Sequence, residues 1–242
     1  MVLMNLKDKI VLVTGASKGI GKNISITLAK EGAIVVLASR NKEMLKKTQE
    51  EIEFLGGRAL AIPADISKEK ELSNLFDKIR DRFGRLDILI NNAATIITGK
   101  IADFSLKDYD TIMQTNLRGL YICCQQALKF MLPQKSGYII NISSVVGFKG
   151  YAGQSAYTAS KHGVMGITKS LAAEVYKDGI FVAAILPGGV DTELALYARP
   201  DIDRTALIST QDIADTVLYM LHLSDTAWVD EIYIHRRNAQ PF

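Results

Sequence analysis

The sequence predicts an α/β fold of three layers, in which helices cover both faces of a single doubly wound parallel sheet. Three observations carry that expectation. Short apolar, β-branched runs alternate with longer segments of helical periodicity. The first of these runs opens directly into a glycine-rich turn. No repeat, linker or low-complexity stretch divides the 242 residues, so one domain over 1–242 is the economical reading. Strands separated by helices of this length pair in parallel, and a parallel sheet is covered on both sides.

Lys9–Thr14 is the first strand, a short buried run. It continues into Thr14-Gly15-Ala16-Ser17-Lys18-Gly19-Ile20-Gly21, and a helical pattern follows over Ile20–Lys30. Strand, glycine turn and helix in that order make the dinucleotide site of a Rossmann fold. The glycines let the backbone approach a pyrophosphate, and the helix N-terminus holds it. Gly15, Ser17, Lys18, Gly19, Ile20 and Gly21 are the expected contacts, although the Gly-x-x-x-Gly-x-Gly spacing departs from the usual Gly-x-Gly-x-x-Gly. Ala33–Ala38, the second strand, ends in Ser39-Arg40, where a fold that binds the unphosphorylated cofactor usually places an acid. Arg40 can instead fork onto a 2′-phosphate, with Ser39 donating a hydrogen bond and Lys18 adding charge. A phosphorylated cofactor is the resulting expectation; the alternative is that Arg40 and Lys18 are ordinary solvated charges.

Asn41–Phe54 reads as an amphipathic helix and Ala59–Pro63 as a third strand ending at Asp65-Ile66. These two residues stand where an adenine would lie, and Asp65 could equally cap a helix over Lys68–Phe83. Leu86–Ile90 is a fourth strand that delivers Asn91-Asn92-Ala93-Ala94, small residues and amides that let the chain pass close to a ligand. The helix Lys107–Met131 contains Asn116, a residue usually solvated inside helices. Tyr138–Asn141 leads to Ser143 and Ser144, and Ile180–Leu186 to Pro187-Gly188-Gly189-Val190-Asp191-Thr192. Glu193–Ile208 is polar and irregular, a plausible lid carrying Arg199 and Arg204. A helix over Gln211–Leu223 and a last strand over Glu231–His235 complete the chain.

Ala156–Val175 is a helix that carries Tyr157 and Lys161 one turn apart on one face, near its positive end. An ammonium and a helix N-terminus both favour phenolate, and would draw a phenol down from its ordinary value of about 10 towards neutrality. That pairing makes Tyr157 a candidate proton donor. His162 follows Lys161 and points away from it.

Composition narrows the partners. A net charge of +3 from scattered basic residues suggests neither nucleic acid nor an acidic membrane. Adjacent Cys123 and Cys124 sit in an apolar helical stretch and read as core, with no metal-ligand spacing. The apolar stretch Ile10–Val13 is too short for a signal peptide, and a reduced cytoplasmic setting is expected.

Taken jointly, Thr14-Gly-x-x-x-Gly-Ile-Gly21, Asn91-Asn-Ala93, Asn116, Ser144, Tyr157-x-x-x-Lys161 and Pro187-Gly-x-x-x-Thr192 resemble the short-chain dehydrogenase/reductase family in its single-domain classical branch. The resemblance spans about residues 8–223. Ser144-Val-Val-Gly147 and Gly153-Gln154 look most like the 3-oxoacyl-(acyl carrier protein) reductases. It implies NADPH/NADP+ as cofactor and Asn116, Ser144, Tyr157 and Lys161 as the catalytic set, with Asn116 holding a water that passes protons to Lys161. Ser144 is preferred to Ser143 because it stands thirteen residues before Tyr157, as in relatives. By the same resemblance Lys161 binds the nicotinamide ribose. Pro187, Gly188, Val190 and Thr192 lie along the carboxamide, and Asn92, Ala93, Asp65 and Ile66 along the rest of the cofactor. The implied reaction is reduction of a carbonyl, with an acyl thioester as first substrate guess and a homotetramer as the assembly. An oxidative alcohol or sugar dehydrogenase and a non-catalytic NADP-sensing protein are the competing readings. Two departures stand out: Ala94 replaces a family glycine, and Trp228-Val-Asp-Glu-Ile-Tyr-Ile-His235 replaces the usual glycine-ended tail, leaving an atypical segment over 224–242.

Overall fold

Alternating side chains of one strand enter two different cores. In β1 (Ile10–Thr14), Ile10 and Leu12 join one hydrophobic cluster while Val11 and Val13 join the other. Such a strand needs cover on both faces. The computed structural model, which describes residues 4–224 and 226–239, provides it. The remaining strands are β2 (Ile34–Ser39), β3 (Arg58–Pro63), β4 (Ile88–Asn91), β5 (Gly137–Ile142), β6 (Ile180–Pro187) and β7 (Glu231–Ile234). They form one seven-stranded parallel sheet in the order β3-β2-β1-β4-β5-β6-β7. The chain winds outward from β1 to β3, then returns to the opposite side of β1 as β4. Loops leaving β1 and β4 therefore part in opposite directions and open a crevice at the carboxyl edge of the sheet.

The helices are α1 (Gly19–Lys30), α2 (Lys42–Phe54), α3 (Glu69–Phe83), α4 (Leu106–Met113), α5 (Leu120–Gln134), α6 (Ser155–Val175), α7 (Glu193–Ala198) and α8 (Thr210–Leu221). One face of the sheet is covered by α1, α2 and α8 through Ile24, Leu28, Leu45, Ile52 and Val217. The other is covered by α3, α5 and α6 through Leu72, Phe76, Cys123, Phe130 and Val164. Both cysteines are buried, and burial pushes the Cys124 thiol up to about 12.

Most expected elements lie within two residues of their observed ends, and the differences have local causes. The fourth strand starts at Ile88 rather than Leu86, because Asp87 turns its carboxylate to accept the Ile10 N–H at 2.8 Å. Asp65 does not cap α3; its Oδ1 accepts from the Ser67 N–H at 3.0 Å and the Ser67 hydroxyl at 2.8 Å, and Lys68 occupies the cap position. The helix containing Asn116 runs from Leu106 to Gln134, with a π-helical segment at Gln114–Gly119 joining α4 to α5. Segment 193–208 is more ordered than its polarity suggests. The Thr192 hydroxyl accepts the Ala195 N–H at 3.2 Å and starts α7, and a 3₁₀ turn forms at Arg204–Ala206. A bridge between Val190 and Ile208 closes the base of this lid. Of the 224–242 tail, Asp225 and 240–242 lie outside the described residues; the rest carries β7 and packs Trp228 against Tyr138 and Phe181. No helix among the described residues is long and apolar enough to cross a membrane.

Asp87 gives the fold its most exposed dependence on one polar group. Its carboxylate is buried, ties β1 to β4 and also pairs with Arg85. Asp87→Ala leaves the Ile10 N–H unsatisfied, so urea denaturation should register a loss of about 1–3 kcal/mol.

Candidate active site

The crevice between β1 and β4 is a cleft of about 790 Å³. Its shape rests on a polar clamp between the two strand ends. Thr14 Oγ1 accepts the backbone N–H groups of Asn92 at 3.0 Å and Ala93 at 3.1 Å, and Asn92 Nδ2 donates to the Thr14 carbonyl at 2.9 Å. Gly15 has a φ of +66°, and a Cβ there would stand 2.9 Å from Ala93 Cα. A Cβ on Gly21 would meet the Gly15 carbonyl oxygen at 2.4 Å. Only glycine fits either place, and the turn is thereby held tight against the start of α1. No side chain caps α1, so its first N–H groups remain available to a ligand.

Fourteen of the expected cofactor contacts line this cleft. Gly15, Ser17, Lys18, Gly19 and Ile20 come from the turn, Ser39 and Arg40 from the end of β2, and Asp65 and Ile66 from the end of β3. Asn92 and Ala93 follow β4, and Thr192 begins the lid. The Ser39 hydroxyl donates to Ser17 Oγ at 2.8 Å, which fixes the turn against β2. Tyr157 and Lys161 line the same cleft from α6. Gly21 stands behind the turn, and Pro187, Gly188 and Val190 do not reach the cleft wall. Among lining residues that the sequence did not single out are Met44, Thr115, Asp191, Glu193, Leu194 and Leu196. No local motif marks those; they arrive because α2 and the lid fold over the strand ends. Ala94 also lines the cleft, and its φ is not positive, so a β-carbon is accommodated where relatives carry glycine.

Tyr157 and Lys161 are both buried, at 8% and 3% exposure. Lys161 Nζ donates to the Ile142 carbonyl at 2.8 Å and lies 5.8 Å from the centre of the Tyr157 ring. An ammonium has three donors, so the remaining capacity of Lys161 faces the cleft. The expected lowering of the phenol does not occur. Burial pushes Tyr157 up to about 12, and a hydrogen bond with the Ser144 hydroxyl draws it only part of the way back. Burial also brings Lys161 down to about 8. Desolvation outweighs the charge at this distance because each charged form loses its water.

Ser144 itself is set by the turn it begins: its Oγ accepts the Val146 N–H at 3.3 Å. Its neighbour Ser143 donates to the Lys161 carbonyl at 3.4 Å and lines the cleft, whereas Ser144 and Asn116 are not among the lining residues. Asn116 is not solvated. Its amide donates to the Thr95 carbonyl at 2.9 Å and Ser160 Oγ at 3.1 Å, and its Oδ1 accepts the Thr95 N–H at 2.8 Å. It pins the loop after β4 to α6. The lid arginines are paired within the lid region, Arg199 with Asp201 and Arg204 with Asp191. His162 is exposed and bonds the Thr158 carbonyl at 3.0 Å. Apolar Ile96 and Val146 surround Tyr157, with Leu194 and Ala198 of α7 packed over them.

Fold and cleft together define a doubly wound α/β protein of the dinucleotide-binding class. More specifically, the chain belongs to the short-chain dehydrogenase family, whose model matches residues 9–203. It is 39% identical over 229 residues to an uncharacterized oxidoreductase of Staphylococcus aureus strain MW2, covering 95% of this chain and 97% of that protein. An uncharacterized oxidoreductase of Staphylococcus epidermidis is 33% identical over 96% of this chain and 99% of its own. Among solved structures, a metagenomic short-chain oxidoreductase in complex with NADP superposes with a TM-score of 0.86 at 30% identity, covering 98% of this chain and all of that one. A variant of actinorhodin polyketide ketoreductase with NADPH gives 0.88, also at 30% identity, over 94% and 95% of the two chains.

The displaced Lys161 value makes stability depend on pH in a definite direction. An unfolded chain holds the Lys161 proton up to about 10. Between about 8 and that point the folded protein binds fewer protons, so its stability rises with pH. Above about 10 the unfolded phenol ionises while Tyr157 stays protonated to about 12, and stability falls again. Lys161→Met should remove the rise: in urea titrations from pH 7.5 to 9.5, the parent's stability should climb relative to the variant's.

Proposed function

We propose that the chain is an NADPH-dependent reductase that converts a ketone to an alcohol, with Tyr157 as the proton donor. The observation that carries this reading is the buried Tyr157 beside Lys161 on the wall of a cleft whose other end is a glycine turn shaped for a phosphate. The residues present suit the cofactor. The glycine turn admits a pyrophosphate, the unused donors of buried Lys161 suit ribose hydroxyls, and Arg40 at the end of β2 suits a 2′-phosphate, the expected Ser39 donor being committed to Ser17. The NADP and NADPH ligands of the two structural relatives support the same choice.

Bound in this cleft, the reduced nicotinamide supplies a hydride to a carbonyl carbon. Ser144 and Tyr157 then hydrogen-bond the carbonyl oxygen as negative charge grows on it, and Tyr157 releases its proton to that oxygen. An alkoxide is far more basic than a phenolate, so the transfer runs downhill even from a phenol raised to about 12. Burial that keeps Tyr157 protonated favours this reductive role. The oxidative direction needs a phenolate at neutral pH, which the same burial opposes. Lys161 holds the ribose side, and Asn116 acts through position, fixing the loop at Thr95 and Ser160 against which the substrate side is built. Ile96, Val146 and Leu194 give the carbonyl's substituents an apolar wall. The polyketide ketoreductase relative supports testing 3-oxoacyl thioesters first.

Tyr157→Phe should bind NADPH within about twofold of the parent, while ketone reduction followed by loss of nicotinamide absorbance falls at least about 10²-fold. Retained turnover removes Tyr157 from the acid role. Arg40→Asp should reverse the preference towards NADH in the same assay; an unchanged ratio means the 2′-phosphate is read elsewhere.

A further inference from the structure

Lys18 is the last residue before α1, and its ammonium does not stand free to meet an anion. It pairs with the carboxylate of Glu193, the first residue of α7. Turn and lid touch at this point, since a Cβ on Gly19 would stand 3.3 Å from Thr192 Cγ2. The ion pair therefore spans the mouth of the cleft. Both partners are more than half exposed, at 53% and 71% of their side chains. An ion pair this wet is weak and readily exchanged for a better partner. Arg40 lines the same wall and has no ion-pair partner among the described residues. The nearby acid of the lid, Asp191, is already held by Arg204 through two bonds of 3.0 Å. Asp65 is engaged with Ser67. Glu193 is thus the carboxylate whose partner is also a predicted phosphate ligand.

We infer that Glu193 is a specificity-determining residue, which competes from the lid with the 2′-phosphate for Lys18 and so limits how strongly the phosphorylated dinucleotide is preferred. The inference rests on the NADPH reading above. With Lys18 turned to Glu193, Arg40 alone answers the 2′-phosphate. A phosphate carries more charge than a carboxylate and accepts more hydrogen bonds, so it draws Lys18 away and the lid loses one tie to the turn. A dinucleotide without that phosphate leaves the tie intact. Cofactor choice and lid attachment are thereby linked through one ammonium.

Equilibrium titrations with NADPH and with NADH, read by nicotinamide fluorescence, test this on four proteins: the parent, Glu193→Gln, Lys18→Gln and the double variant. Glu193→Gln should tighten NADPH by about two- to fivefold, the range of one exposed ion pair, and leave NADH within about 1.5-fold. In the Lys18→Gln background the same change at Glu193 should do nothing. An equal gain for both dinucleotides, or a gain that survives without Lys18, would mean that Glu193 acts by plain repulsion of the pyrophosphate and overturns the inference. No change in either dinucleotide overturns it too. Failure of every protein to bind NADPH would instead sink the functional reading itself. Both side chains are solvent-exposed, so thermal melts of the variants should stay close to the parent.

Discussion

Lys161 is a cation with almost no water and one protein partner, and much of the site is arranged around that fact. Its donor goes to the carbonyl that ends β5, which places α6 against the sheet edge and brings Tyr157 into the cleft. The same burial acts in opposite directions on the two groups, holding a proton on the phenol and loosening one from the amine. In the ligand-free chain at neutral pH the pair is therefore a neutral phenol beside an ammonium that gives up its proton only above about 8, and not an ion pair. On the proposed reading, ribose hydroxyls would restore to Lys161 the hydrogen bonds that burial removed, and cofactor binding and proton chemistry would share one residue.

The supporting polar network is denser than the proposed catalytic set it surrounds. Thr14 clamps the ends of β1 and β4, and Asn92 returns a bond to the turn. Asn91 donates to Asn141, which donates in turn to Thr168 on α6, carrying the linkage beneath the cleft. Asn116 completes it on the substrate side. All but half-buried Asn92 are buried, and each is bonded to another part of the fold, so they hold geometry at the carboxyl ends of the strands.

Much of this was legible in the chain, because the signals were local. Short apolar, β-branched runs marked the strands, and the turn from Thr14 to Gly21 marked the crevice. The i, i+4 spacing put Tyr157 beside Lys161. What was not legible depends on packing. Charge proximity argues for a lowered phenol, and only the burial of α6 against β5 and the lid reverses the sign. Asn116 reads as a solvated helix residue until the loop at Thr95 folds back onto it. The lid was missed as a helix because six residues carry little periodicity, and the cap that starts it is a threonine already assigned to the cofactor. Glu193 and Asp191 entered the cleft for the same reason, through a fold-back that no spacing announces. The atypical tail supplies β7 at the sheet edge and sets Trp228 against Tyr138 and Phe181.

The central claim is that desolvation, rather than the neighbouring ammonium, sets the Tyr157 phenol in the ligand-free protein. An ultraviolet difference titration of phenolate absorbance, comparing the parent with Tyr157→Phe, isolates that one group. The account predicts ionisation well above the ordinary value of about 10, in the direction of 12. A phenol that ionises below 10 in the absence of cofactor would contradict it.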